Sequence, residues 1–162
     1  MEAEASGAAE PAGDGDMKTR HFLKALDEAR IVEAIRVAEN RTSGEIRVFV
    51  SSRKRPGHPV LERAARQFEK LGMEKTRERN GVLLYFVPEN REFAIIGDKG
   101  IHEKCGDVLW SDVAADLRQG MAAGDFTASI LGAVSAVGEA LTRHFPHRPD
   151  DDDQLSNAVG QD

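Results

Sequence analysis

Hydrophobic positions along the chain change their period several times, and each change marks the boundary of an element. Phe22, Leu26 and Ala29, then Ile31, Val32, Ile35 and Ala38, recur at helical spacing up to about Asn40, with Asp27 placed to cap the helix. Thr42-Ser43-Gly44 stops that helix. Glu45-Ile46-Arg47-Val48-Phe49-Val50 then alternates polar and apolar, as a strand with one buried face does. After Pro56-Gly57 the helical period returns through Val60, Leu61, Ala64, Ala65, Phe68 and Leu71. Asn80-Gly81 opens the unbroken apolar run Val82 to Val87, which suits a central strand covered on both faces. A short polar turn, Pro88 to Arg91, leads into a third strand, Glu92 to Ile96. Beyond it, Leu109, Val113, Leu117 and Met121 form one helical stripe. Phe126, Ile130, Val134, Val137, Leu141 and Phe145 form a second, parted from the first at Gly124-Asp125.

The order helix, strand, helix, strand, strand, helix, helix predicts an α/β fold, a mixed and mostly parallel sheet with helices on its faces. A crossover makes strands 45–52 and 81–87 parallel, and the tight turn at 88–91 makes the third strand antiparallel to the second. One end of the sheet then collects Glu45, Asn80, Asp98, Lys99, His102 and Asp107. The other collects Arg53, Lys54, Arg55, Glu89, Asn90 and Arg91. A functional site is expected at one of these two ends.

Composition adds a division of charge. The chain of 162 residues has a formal net charge of −6. Residues 1–16 hold Glu2, Glu4, Glu10, Asp14 and Asp16, and residues 149–162 hold Asp150 to Asp153 and Asp162, with no Lys or Arg in either stretch. Both stretches are poor in large apolar residues, so they are expected to be disordered acidic tails around a folded, net basic body at 17–148. No apolar run approaches the roughly 20 residues of a membrane-spanning helix, and the acidic start lacks the basic head and apolar stretch of a secretory signal. A cytoplasmic location is expected. Cys105 is the only cysteine, so neither an internal disulfide nor a multi-cysteine metal site can form.

Several short motifs occur in a specific order: Thr42-Ser43-Gly44-Glu45-Ile46-Arg47-Val48, Arg79-Asn80-Gly81-Val82-Leu83-Leu84-Tyr85, Arg91, Gly97-Asp98-Lys99-Gly100-Ile101-His102 and Gly124-Asp125-Phe126. Together, over residues 27 to 145, the chain resembles the TPM-domain family, also called TPM phosphatase. The resemblance implies an α/β/α sandwich. It also implies divalent-cation binding or acid phosphatase activity, as in some members, or a role in the assembly or repair of membrane complexes. Many members are exported and carry a membrane helix, so this chain resembles the shorter branch without either. Many also have an Asp-Asp-Arg turn where this chain has Glu89-Asn90-Arg91, which replaces one carboxylate by an amide and weakens any two-carboxylate chemistry there.

The residues themselves offer little hydrolytic machinery. The chain has no Gly-x-x-x-x-Gly-Lys phosphate loop, and Cys105 is not followed by the Arg of a cysteine phosphatase. What remains is an oxygen-ligand set, Glu45, Asp98 and Asp107, suited to weak Ca²⁺ or Mg²⁺ binding, with His102 as a proton donor and Glu89, Asn90 and Arg91 as secondary candidates. The plainer roles are a turn at Asp98, a helix cap at Asp107 and an exposed strand start at Glu45. Arg53-Lys54-Arg55 reads as a solvated loop, because no aromatic interleaves with it and the acidic tails oppose nucleic acid. Trp110 lies one step off the Leu109 stripe and is expected to be half exposed. The expected function is a non-catalytic domain that binds a divalent cation weakly and works through contacts with an unidentified protein partner. The alternative is a metal-dependent acid phosphatase of broad specificity.

Overall fold

A computed structural model describes residues 2–8, 19–55, 57–149 and 157–162. Its elements in chain order are β1 (Glu2–Ala8), α1 (Thr19–Ala25), α2 (Glu28–Glu39), β2 (Glu45–Val50), α3 (Val60–Lys70), β3 (Gly81–Val87), β4 (Glu92–Gly97), α4 (Lys99–Ala123), α5 (Phe126–His144) and β5 (Gly160–Gln161). The strands form one mixed sheet in the order β1-β4-β3-β2-β5. β2 pairs parallel with β3 and β5, while β4 pairs antiparallel with β3 and β1, so the two kinds of pairing are equal in number.

The apolar run of β3 is explained by burial on both faces. Val82, Leu84 and Phe86 point into a larger core with Ile46, Val48, Ile95 and the inner faces of α2, α4 and α5. Leu83, Tyr85 and Val87 point the other way, into a smaller core closed by Val60, Ala64, Phe68 and Met73. Helices therefore cover both faces, as an α/β/α sandwich requires. Asp27 caps α2 as its position suggests, its side chain accepting from Arg30 N at 3.2 Å.

The described residues differ from the sequence expectation in four places. Leu26 and Asp27 break the first helical stripe into α1 and α2. α4 begins at Lys99 rather than near Leu109, and it kinks at Gly106, whose φ of 65° and ψ of −161° only a glycine adopts readily. Trp110 is fully buried: with Val113, Ala114, Leu117 and Met121 it forms the inward face of α4. Finally, parts of both expected tails join the sheet. Glu2–Ala8 extends along β4, and Gly160–Gln161 lies beside β2. Backbone pairing at an open sheet edge needs no apolar side chain, so composition gave no sign of it. Residues 9–18 and the Asp150 to Asp153 run lie outside the described residues.

Candidate functional sites at the two ends of the sheet

The first end gathers three of the family-like motifs. Glu45 N donates to Asn80 O at 3.4 Å, Asp98 N to Gly81 O at 3.0 Å and Gly100 N to Arg79 O at 2.8 Å, which ties the three motif segments together by backbone. Their side chains are tied as well. Asn80, 1% exposed, donates Nδ2 to Ser43 Oγ at 3.1 Å, and Ser43 Oγ in turn donates to Glu78. Glu78 also holds Arg148 at 2.5 Å. Thr42 Oγ1 accepts from Gly44 N at 3.0 Å and donates to the carbonyl of Phe145, fixing the end of α5 to the start of β2.

Asp98 is the centre of this end and is completely buried. It receives Arg79 through two bonds, Nε to Oδ2 at 2.7 Å and Nη2 to Oδ1 at 3.0 Å, and Oδ1 also accepts from Lys99 N at 2.8 Å as the cap of α4. Donating to Asp98 raises the pKa of the Arg79 guanidinium, against desolvation. Glu45 is buried, at 3% exposure, rather than exposed at its strand start. Asp107 is 74% exposed in its side chain and faces His102 Nε2 at 3.7 Å. His102 Nδ1 accepts the indole N–H of Trp110 at 3.1 Å, so its ring is oriented by the core. Among the described residues, no group of three or more His, Cys, Asp or Glu is placed to hold a metal ion. The folded chain therefore brings Glu45, Asp98 and Asp107 to the same end of the sheet without making a ligand cluster of them.

The turn with the secondary candidates is also structurally engaged. Glu89 accepts from Thr19 N at 3.0 Å and lies 3.8 Å from Lys54 Nζ. Pro88–Asn90 forms one 3₁₀ turn, and Arg91 closes it with a left-handed backbone at φ 53°. The Cys105 thiol is pushed up by burial, against a smaller lowering by Arg143, so it is not an activated nucleophile.

The other end, where β2 and β3 finish, is open and basic. A crevice of about 140 Å³ is lined by Arg53, Arg55, Arg63, Arg66 and Lys70, together with Tyr85 and Asp162. Arg63 is only 8% exposed. Its Nη2 donates to Ser51 Oγ at 3.3 Å and to the Arg53 carbonyl, and its guanidinium sits 6.0 Å from the centre of the Tyr85 ring. Asp162 Oδ2 accepts from Ser51 Oγ at 2.6 Å and Oδ1 accepts from Ser52 N at 2.7 Å. Burial raises the pKa of Asp162, but the bonds from Ser51 and Ser52, helped by Arg53, outweigh it and hold the carboxyl below its ordinary value. Arg53, Lys54 and Arg55 are exposed, as expected of a loop, but motif and spacing carry no sign of Ser51, Arg63, Arg66 and Asp162. The available signal was Arg63 itself, three residues after Val60 on the buried side of α3.

Both the motif arrangement and the layer order now match those of a known family. The sequence profile of the TPM domain matches residues 17–140. The chain belongs to the TPM-domain family. The NMR structure of BA42 protein from the psychrophilic bacterium Bizionia argentinensis is similar to this TPM domain, with 37% sequence identity and a TM-score of 0.76 over 83% of this chain and 92% of that one. No curated protein shows a match. Among the described residues, no helix is long and apolar enough to cross a membrane.

Proposed function

We propose that this TPM domain is a non-catalytic binding protein that works through contacts with a protein partner. The observation that carries the reading is the fate of Asp98: both oxygens of this completely buried carboxylate are engaged within the fold, by two bonds from Arg79 and one from Lys99 N. Glu89, at the turn where many family members carry a carboxylate pair, is bound to Thr19 N. A phosphatase needs a nucleophile or an activated water together with a group to protonate the leaving oxygen. Neither end of the sheet groups such residues among those described. The expected Ca²⁺ or Mg²⁺ lacks a ligand group among the described residues and forms no part of this reading.

The test is p-nitrophenyl phosphate hydrolysis at pH 5 to 8 with and without Mg²⁺ and Ca²⁺. Turnover should equal the buffer rate in every condition. Cation-dependent turnover that disappears in Asp98→Asn would establish the phosphatase instead.

A further inference from the structure

α4 is broken at one residue, and a side-chain bond spans the break. Gly106 takes φ 65° and ψ −161°, so the helix is two segments joined by a kink. His102 lies on the first segment and Trp110 on the second, eight residues on. In an unbroken helix that separation is a rise of about 12 Å, which side chains that all lean toward the N-terminus do not bridge. Here Trp110 Nε1 donates to His102 Nδ1 at 3.1 Å. The bond and the kink therefore depend on each other.

The bond also fixes the chemistry of the imidazole. An indole N–H can only donate, so Nδ1 must present its lone pair, and the proton of the neutral ring sits on Nε2. A second proton can enter only at Nδ1, where it would set two donors against each other beside a fully buried indole. The His102 side chain is 21% exposed, so that proton can come from solvent. The charged groups around the ring are Asp107 on α4 itself, the Asp98–Arg79 pair where β4 ends, Glu2 of β1 in register with Gly97, and Arg143 of α5, whose charge is felt at Cys105. Asp107, which belongs to no ligand group among the described residues, lies 3.7 Å from Nε2 and draws a protonated ring away from the indole. The indole in turn lies against Gly97, the residue before Asp98.

We propose that the His102–Trp110 bond is a proton-operated latch on the Gly106 hinge. The latch is closed while His102 is neutral. When Nδ1 takes up a proton the bond is lost, the ring turns toward Asp107 and the two segments of α4 lose their fixed angle. What changes shape is the bend itself, where Asp107 and Val108 are both largely exposed. The latch stands whether or not the domain is catalytic.

Trp110 is the only tryptophan, so its indole N–H signal in a proton–nitrogen NMR spectrum reads the latch in the full chain, from about pH 8 to about pH 5. The ring-nitrogen shifts of His102 should show the Nε2–H form at the upper end. As the ring protonates, the indole proton should move upfield and the amides of Gly106 to Val108 should move with the same midpoint, while far-UV circular dichroism holds constant. His102→Asn places an amide oxygen near the position of Nδ1 and takes up no proton, so it should keep the parent's high-pH indole signal throughout. His102→Leu offers no acceptor and should show the released signal throughout. Gly106→Ala has open space for its Cβ but opposes the positive φ, and it should show the released signal as well. A transition that persists in His102→Asn, an indole signal unmoved while His102 protonates, or a Leu variant that matches the parent at high pH overturns the latch. An indole shift without movement of Gly106 to Val108 overturns the hinge. A cooperative loss of ellipticity with the same midpoint would make the event acid unfolding and overturns both. The parent and His102→Asn titrations decide the matter even if His102→Leu fails to fold.

Discussion

Gly97→Ala should be among the most damaging one-carbon changes in the domain, and its cost follows from the position of one ring. Gly97 ends β4, where it pairs with Val82 on one side and Glu2 on the other, and the next residue, Asp98, donates its N–H to Gly81 O at 3.0 Å. The backbone is thus held from both sides. A Cβ there would stand 2.2 Å from Cζ2 and 2.4 Å from Cη2 of Trp110, where carbon atoms in contact are normally about 3.5–4.0 Å apart. The ring would have to retreat by more than about 1 Å, yet it is fully buried and bonded to His102 through its indole N–H. Overpacking of this kind costs about 1–3 kcal/mol, and a fixed backbone against a fixed ring places this case near 3. For a domain of this size that is a fall in Tm of about 6–12 °C. Circular dichroism gives the Tm, and emission from Trp110, the only tryptophan, should shift to the red as its packing loosens. In Gly97→Ala/Trp110→Phe the six-membered ring edge that collides is gone, so the double change should cost less than the sum of the two single changes. A Gly97→Ala Tm within about 1 °C of the parent, or strictly additive losses, would refute the account.

Three further outcomes follow from neighbouring features. Gly132, in α5, has open space where its Cβ would be, so Gly132→Ala should raise stability by about 0.5–1 kcal/mol in a denaturant melt; a loss would show that the helix needs the glycine. Thr42→Val should cost about 2 kcal/mol in the same assay, because it leaves the buried N–H of Gly44 and the carbonyl of Phe145 without the hydroxyl; an unchanged midpoint would mean water replaces it. The carboxyl of Asp162 has its pKa lowered on docking, so its contribution is complete above the ordinary value of 3.8 and is lost as pH falls through the lowered one; the Ser52 amide signal should therefore hold steady from pH 7 to about 4 and move only below that, and a transition near neutral pH would contradict the contact.

How much could be read beforehand depended on whether side chains or backbone did the work. β2, β3, β4 and α5 were legible because burial on one or two faces forces a period of 2, an unbroken run or a period near 3.6. Asp27 was legible because a cap requires a particular side chain. The first turns of α4 were not, since Lys99 to Gly106 contains two glycines and little that is apolar, and the helix there is started by the buried cap at Asp98. Trp110 escapes the four-residue step from Leu109 because the core selects a wider face of α4, through Val113 and Ala114. β1 and β5 are held by ladder bonds on open edges, which leave no mark in hydropathy. At this end, strand order predicts that Glu45, Asp98 and Asp107 share one end of the sheet, but nothing in hydropathy or spacing shows that Arg79 reaches Asp98 or that Asp107 is left exposed.

The two ends of the sheet therefore differ in what their polar groups are free to do. At the end where β2 and β3 begin, the motif residues spend their hydrogen bonds on one another: Thr42 on Gly44 and α5, Asn80 on Ser43, Asp98 on Arg79 and α4. A change there is felt as lost stability, and recurrence of such residues across a family requires no shared ligand. At the end where β2 and β3 finish, the chain parts, β2 leading into the loop before α3 and β3 into the turn before β4. Crevices form outside the carboxyl ends of strands where their connections diverge in this way. Here that crevice gathers Arg53, Arg55, Arg63, Arg66 and Lys70 around Asp162. Gathering like charges there costs repulsion, which the bonds of Arg63 to Ser51 and the Arg53 carbonyl, and those of Asp162 with Ser51 and Ser52, offset in part.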